Sequence, residues 1–328
     1  MSGGNIAYHL RPNKAAERAL FLDLLSRIGR NSFNISEYQY VGFGGPFMED
    51  FKALHVSTRI SKMICVERDP VVQARQKFNS PLQCIDFVLA DSSTFLDDFR
   101  PNSPTIAWLD FTSPGELKQQ LDDTCMLVEK MAHGDIFKVT LNASVSALRG
   151  EDAGIKQHEL ALLRKTVFED RVGPDRPQTV NEEDFKAAKY PTLLLQALHN
   201  AANRGARNSE LVVQPLTAFS YSDGTSMLTA TGVILDPNST NLEKFPEDSR
   251  LKYWPFSMLD WKSPLTIDLP VLSIRERMEL EKLQPDGGVA GAKTVLGDVI
   301  NAQGISPQEV SSFSKFYRVY PEFVRASL

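Results

Sequence analysis

Between Tyr38 and Leu141 short apolar runs alternate with segments of helical periodicity, and this alternation leaves few folds open. The strand-like runs are Tyr38 to Val41, Lys62 to Val66 (KMICV), Ile85 to Ala90, Thr105 to Leu109 (TIAWL) and Ile136 to Leu141 (IFKVTL). Between them, Phe47, Phe51 and Leu54 recur at i, i+4 and i+7, and Pro70 to Asn79, Ser92 to Phe99 and Gly115 to Met131 read as helices. Strands joined through helices pair in parallel by right-handed crossovers. The expectation is an α/β fold with a doubly wound, mostly parallel sheet. Farther on, Asp223-Gly224 lies between two β-rich runs of Leu211 to Leu235. That dipeptide suits a tight turn needing φ > 0, so the sheet should end in an antiparallel hairpin.

The flanking segments are helical. Apolar residues from Ala16 to Ile28 predict an N-terminal amphipathic helix with Asn13 as its N-cap. Residues 145–210 read as a polar, mostly helical insertion with a loop at Arg171 to Thr179. Ser273 and Glu276 form a capping-box pattern at the head of SIRERMELEKL. The stretch QPDGGVAGA, Gln284 to Ala292, reads as a linker. The expected organisation is one domain over 1–285 and a small helical appendage over 286–328. The appendage segment Ile300 to Phe316 reads as a packing helix pair, not a DNA reader, because its charge is balanced.

Composition narrows the function classes. With 42% hydrophobic and 23% charged residues among 328, the chain has material for a substantial core. A formal net charge of -5 gives no electrostatic footprint for nucleic acid, which is therefore not favoured as a partner. Cys65, Cys84 and Cys125 are too widely spaced for a zinc knuckle or a disulfide framework, and no metal site is expected. The opening MSGGNIAYHLRPNK lacks an apolar leader core, and no membrane span is readable. A soluble, bacterial-type protein of the cytoplasm is the expectation, with oligomerisation left open.

Ligands of open α/β sheets bind outside the carboxyl ends of the strands, so those positions carry the functional reading. The first strand is followed by Gly42, Phe43, Gly44 and Gly45. Glu67 and Asp69 follow the second, Glu67 standing 22 positions beyond Gly45, about where an acid meets a ribose diol. Asp69 could take that role or cap the helix starting at Pro70. Asp91 follows the third strand, Asp110 the fourth and Asn142 the fifth. Asp110 ends an apolar run, where a carboxylate needs a partner or a purpose. Phe47 falls where a dinucleotide fingerprint G-x-G-x-x-G needs its third glycine.

The pattern resembles the class I S-adenosylmethionine-dependent methyltransferases, a Rossmann-like superfamily, over roughly Tyr38 to Leu235. VGFGG at Val41 to Gly45 is similar to the family's glycine motif, Glu67 to its ribose-binding acid, and Asp91 to the residue near the adenine amino group. Asp110 is similar to the acid after strand four. The resemblance implies S-adenosyl-L-methionine as cofactor and methyl transfer to an unidentified oxygen or nitrogen acceptor, with Asp110 as a catalytic candidate; Asn142 joins it as a catalytic candidate from its place at the end of the fifth strand. Two positions depart from the pattern: Tyr40 stands where the family has an acid, and Pro46, which suits a first helical position, stands where it has a third glycine. Those departures favour the competing reading of a non-catalytic Rossmann-like binding or assembly protein. A nucleic-acid-modifying methyltransferase is the third class.

Overall fold

The computed structural model describes residues 11–148, 156–300 and 304–322. The opening decapeptide, part of the helical insertion (149–155) and the last six residues of the appendage lie outside these. The strands are β1 (Gln39–Gly42), β2 (Lys62–Glu67), β3 (Ile85–Leu89), β4 (Thr105–Asp110), β5 (Ile136–Asn142), β6 (Val212–Ser222), β7 (Ser226–Leu235) and β8 (Leu265–Ile267). They form one sheet in the order β3-β2-β1-β4-β5-β7-β6-β8. β1 pairs in parallel with β2 and β4, β2 with β3, and β4 with β5, whereas β7 runs antiparallel to β5. The doubly wound sheet and its terminal hairpin are thus as expected. Gly224, at φ +94, supplies the turn.

Burial explains which runs were apolar throughout. Every residue of β1 is buried, as is every residue of β4 before Asp110, because central parallel strands are covered on both faces. β3, at the sheet edge, buries only Ile85 fully. Among the helices, α1 (Pro12–Asn31) precedes β1, α2 (Glu49–Thr58), α3 (Pro70–Phe78), α4 (Ser92–Asp98) and α5 (Leu117–Glu129) form the four crossovers from β1 to β5, and α6 (Gln157–Val172) and α7 (Tyr190–Ala206) build the insertion. α5 and α7 pack closely: a Cβ on Gly205 would come within 2.4 Å of the Cys125 carbonyl oxygen. Beside that contact Arg204 donates Nε and Nη2 to the two oxygens of the buried Asp175 at 2.9 and 2.8 Å, and Nη2 also reaches Asp122 at 2.8 Å. This bidentate pairing ties the loop after α6 to both helices.

The chain divides into two compact units. One comprises Leu22–Ser220 and Thr225–Leu265; the other has residues 11–21, Tyr221–Gly224 and residues 266–322. In the second unit Asn13 is not the N-cap of α1, which begins at Pro12. The cap comes from the hairpin turn, where Asp223 accepts from the backbone N–H groups of Asn13 and Lys14 at 3.2 and 2.8 Å. The Asn13 side chain instead donates to the Ser222 carbonyl and accepts from Leu269 N–H. The expected linker is also corrected, since Gly288–Leu296 forms helix α10, after α8 (Phe245–Asp248) and α9 (Ile274–Lys282). Its Ala292 joins Leu280, Ile305, Val310 and Phe313 in a small core, and that burial stabilises a helix its glycines disfavour. The Ser273–Glu276 capping box is present as read, and α11 (Pro307–Phe316) packs through Val310 and Phe313. Among the described residues no helix is long and apolar enough to cross a membrane.

At the opposite end of the sheet from the glycine turn, Asp135 is almost fully buried and accepts from Thr105 N–H at 2.6 Å and Ala132 N–H at 2.8 Å. Burial outweighs those two bonds and pushes its carboxyl up to about 6. Between the unfolded and folded values the native state holds a proton the unfolded chain has lost. Its contribution therefore declines as pH rises through that window, by roughly 3 kcal/mol in all. Urea unfolding at pH 4 and pH 7 checks this: relative to wild type, Asp135→Asn should gain about 2 kcal/mol between the two pH values, since pH 4 already lies just above the unfolded value.

Candidate functional site

Register fixes the geometry of the site. Gly42, the last residue of β1, is level with Cys65 of β2 and Trp108 of β4. Both neighbours continue for two more residues, to Glu67 and Asp110. β1 therefore ends in a notch with a carboxylate on either side, the two flanking strands standing about 10 Å apart, two strand spacings. The turn Phe43 to Met48 fills the floor of the notch. Gly44 and Gly45 there take φ +68 and +54, a left-handed conformation that side chains resist. A Cβ on Gly44 would also lie 2.7 Å from the Phe51 ring and 3.2 Å from Cys65 Sγ.

The turn is longer than the sequence suggested. Pro46 is not the first helical residue: it lies in the turn, and α2 starts at Glu49 after Met48, itself left-handed at φ 53. Tyr40, the other departure, is buried with its ring edge-on to Phe51 at 4.9 Å, and its hydroxyl lies over Gly42, 2.5 Å from where a Cβ would be. The position of the expected acid is thus filled by a phenol that itself requires glycine at 42. Phe43 leans across the notch onto Phe111, ring centroids 5.5 Å apart.

Two amides absent from the expected site hold this turn: the buried Gln76 of α3 and the exposed Asn79, the C-cap of that helix. Gln76 Nε2 donates to the Phe43 carbonyl at 2.9 Å, and Asn79 Nδ2 donates to the Pro46 carbonyl at 2.8 Å. Cys65 Sγ lies 3.5 Å from both the Phe43 oxygen and Gln76 Oε1. Burial raises the Cys65 thiol far above its ordinary range, with Glu67 adding to it, so it stays protonated. One signal was available: α3 turns Gln73 and Gln76 inward beside Val72, where a purely packed helix would be apolar.

The other strand ends take distinct roles. Glu67 is half-buried; Oε1 accepts from Asp69 N–H at 2.9 Å, and burial moves the carboxyl above its usual range. Asp69 caps α3, accepting from Val71 and Val72 N–H at 2.8 and 3.3 Å. Asp91 is exposed and caps α4 through Thr94 N and Oγ1, both at 2.9 Å, bonds that lower its carboxyl. Beside it the buried Asp123 accepts from Ser92 Oγ at 2.5 Å, Ser93 Oγ at 2.8 Å and Gln119 Nε2 at 2.9 Å, anchoring the turn after β3 to α5. Asn142 lies two residues beyond Thr140, the register partner of Asp110. It donates to the Thr112 carbonyl at 3.3 Å and accepts from Ser144 N–H at 3.0 Å, bracing the loop that leaves Asp110. Gly42 to Gly45, Glu67, Asp110 and Asn142 therefore share one sheet edge.

A glycine turn recessed between two carboxylate-ended parallel strands is the layout of an α/β enzyme that takes its ligand over the strand ends. The family described as "Putative O-methyltransferase" matches residues 6–328, and the chain belongs to that family. No curated protein matches the sequence. Solved structures similar to it include a "putative O-methyltransferase" from Klebsiella pneumoniae, at 11% identity over 70% of this chain and 83% of that one, TM-score 0.39. Trm1 from Pyrococcus horikoshii with S-adenosyl-L-methionine aligns at 12% identity over 69% and 56% of the two chains, TM-score 0.46. The N-methyltransferase NodS from Bradyrhizobium japonicum WM9 aligns at 10% over 69% and 98%, TM-score 0.39.

The turn's constraint is testable through stability. Gly44→Ala combines a left-handed φ with a contact to Phe51 and should cost about 2 kcal/mol in urea unfolding. Gly115→Ala, where a Cβ meets nothing within 4 Å, should change stability by less than about 0.5 kcal/mol.

Proposed function

We propose that this methyltransferase uses S-adenosyl-L-methionine as donor and passes the methyl group to an oxygen or nitrogen acceptor, oxygen being favoured by the family's description. The observation that carries the reading is the notch: β1 ends level with Cys65 and Trp108 while Glu67 and Asp110 stand beyond it. The residues present fit the donor. Glu67 accepts from Asp69 N–H through Oε1, and its carboxylate has lone pairs left to receive a ribose hydroxyl. Gly42, Gly44 and Gly45 keep side chains out of the floor, and the Phe43–Phe111 pair gives the notch an apolar wall. Asp69 and Asp91 act on the donor through the helix starts they cap.

When bound, the donor supplies a methyl group activated by its sulfonium charge. The protein's part is alignment, for which holding acceptor and donor in line is the main source of rate. Asp110 orients the acceptor and takes the proton its hydroxyl or amine gives up. Asn142 keeps the loop at Thr112 in place, so that the acceptor meets a fixed wall.

Calorimetric titration with S-adenosylhomocysteine, combined with transfer assays on a panel of phenolic, carboxylic and amine acceptors, tests the reading. Glu67→Ala should weaken binding at least about tenfold. Asp110→Asn should bind within about threefold of wild type yet lose about 100-fold or more in transfer. Wild-type protein that does not bind the ligand, or Glu67→Ala that binds it unchanged, contradicts the reading.

A further inference from the structure

Gln76 is fully buried on α3, and both ends of its amide are engaged: Nε2 with the Phe43 carbonyl, Oε1 with Cys65 Sγ. Asn79, one helical turn on, meets the Pro46 carbonyl. Two amides three residues apart, one inside α3 and one at its C-cap, thus hold two carbonyls three residues apart on the turn. The Phe43 carbonyl also accepts from Gly45 N–H at 2.8 Å. Burying an amide is costly unless it is hydrogen-bonded, and a leucine would fill similar volume without that demand. What the amide adds is orientation. In a trans peptide the C=O and the following N–H point in opposite directions. A Phe43 carbonyl drawn toward α3 therefore turns Gly44 N–H away from α3, and the left-handed Gly44 and Gly45 keep it there.

We propose that Gln76, seconded by Asn79, is a positioning residue for the amino-acid end of the methyl donor. By fixing the Phe43–Gly44 peptide, it presents Gly44 N–H to the donor's carboxylate, while Glu67 holds the ribose on the neighbouring strand. The inference rests on the donor proposed above and adds a residue that touches no ligand. Because the bond to a carboxylate is charge-assisted, its orientation matters more for a ligand with that group than for one without it.

The test compares two ligands on the full-length protein by calorimetry: S-adenosylhomocysteine, and 5′-methylthioadenosine, which has the same nucleoside and no amino-acid carboxylate. Gln76→Leu should weaken the first on the order of tenfold and the second by less than about twofold. Asn79→Ala should show the same asymmetry at about threefold. Gln76→Glu can donate to the Phe43 carbonyl only when protonated. Its affinity for S-adenosylhomocysteine should therefore recover toward wild type as pH falls from 8 to 6, and this variant and Asn79→Ala carry the test if Gln76→Leu does not fold. Equal losses for both ligands, or none, overturn the positioning role and leave the donor reading standing. Wild-type protein that binds neither ligand overturns both.

Discussion

β1 stops two residues before its neighbours, and the arrangement of the site depends on that shortfall. Parallel strands keep a common register, so an early end on the central strand opens a gap whose walls are the last residues of β2 and β4. Those residues are Glu67 and Asp110. The shortfall has a local cause. The Tyr40 phenol covers Gly42, and Gly44 and Gly45 turn the chain left-handed, so the strand cannot continue and α2 starts only at Glu49. Lengthening β1 would fill the notch with backbone and bring the two carboxylates onto its flanks with nothing between them to bind.

Hydrogen-bonded polar side chains keep the notch in shape. Gln76 and Asn79 hold the turn from α3, Asp123 holds the start of α4 from α5, and Arg204 with Asp175 and Asp122 locks the insertion to α5. All but the exposed Asn79 are buried or partly buried groups with hydrogen bonds made, the condition under which such groups specify one arrangement of the backbone. The apolar core supplies the bulk of the stability, but it is indifferent to a peptide rotating in place; directional bonds are not. Loops at the strand ends are where that difference matters.

How far the sequence led differs between elements. The runs TIAWL and IFKVTL are strands covered on both faces, and KMICV buries Met63, Cys65 and Val66, so composition alone carries that signal. Glu67 and Asp110 were readable because acids at the ends of apolar runs are conspicuous. The start of α2 was not: Pro46 suits a helix start, and nothing local says that two left-handed glycines and Met48 delay it. Asn13 fits a cap by type, yet the cap arrives from Asp223, 210 positions away, a distance beyond any local pattern. The helix at Gly288–Leu296 was hidden by its glycines, whose poor propensity is overcome by Ala292 entering a core with Phe313. Gln76 is the instructive omission, since an inward glutamine on a short helix marks a bond to something, here the glycine turn.

The chain's place among the methyltransferases sets the chemistry, and the proposal lays the donor across the end of β1, ribose toward β2 and reactive methyl toward β4. A crystal structure of the complex with S-adenosylhomocysteine tests that placement directly. The account predicts the ribose diol on Glu67, the sulfur above the Phe43–Gly45 turn and Asp110 facing it from β4. A ligand outside the notch, or a ribose held by Asp91 with Glu67 facing solvent, would contradict it.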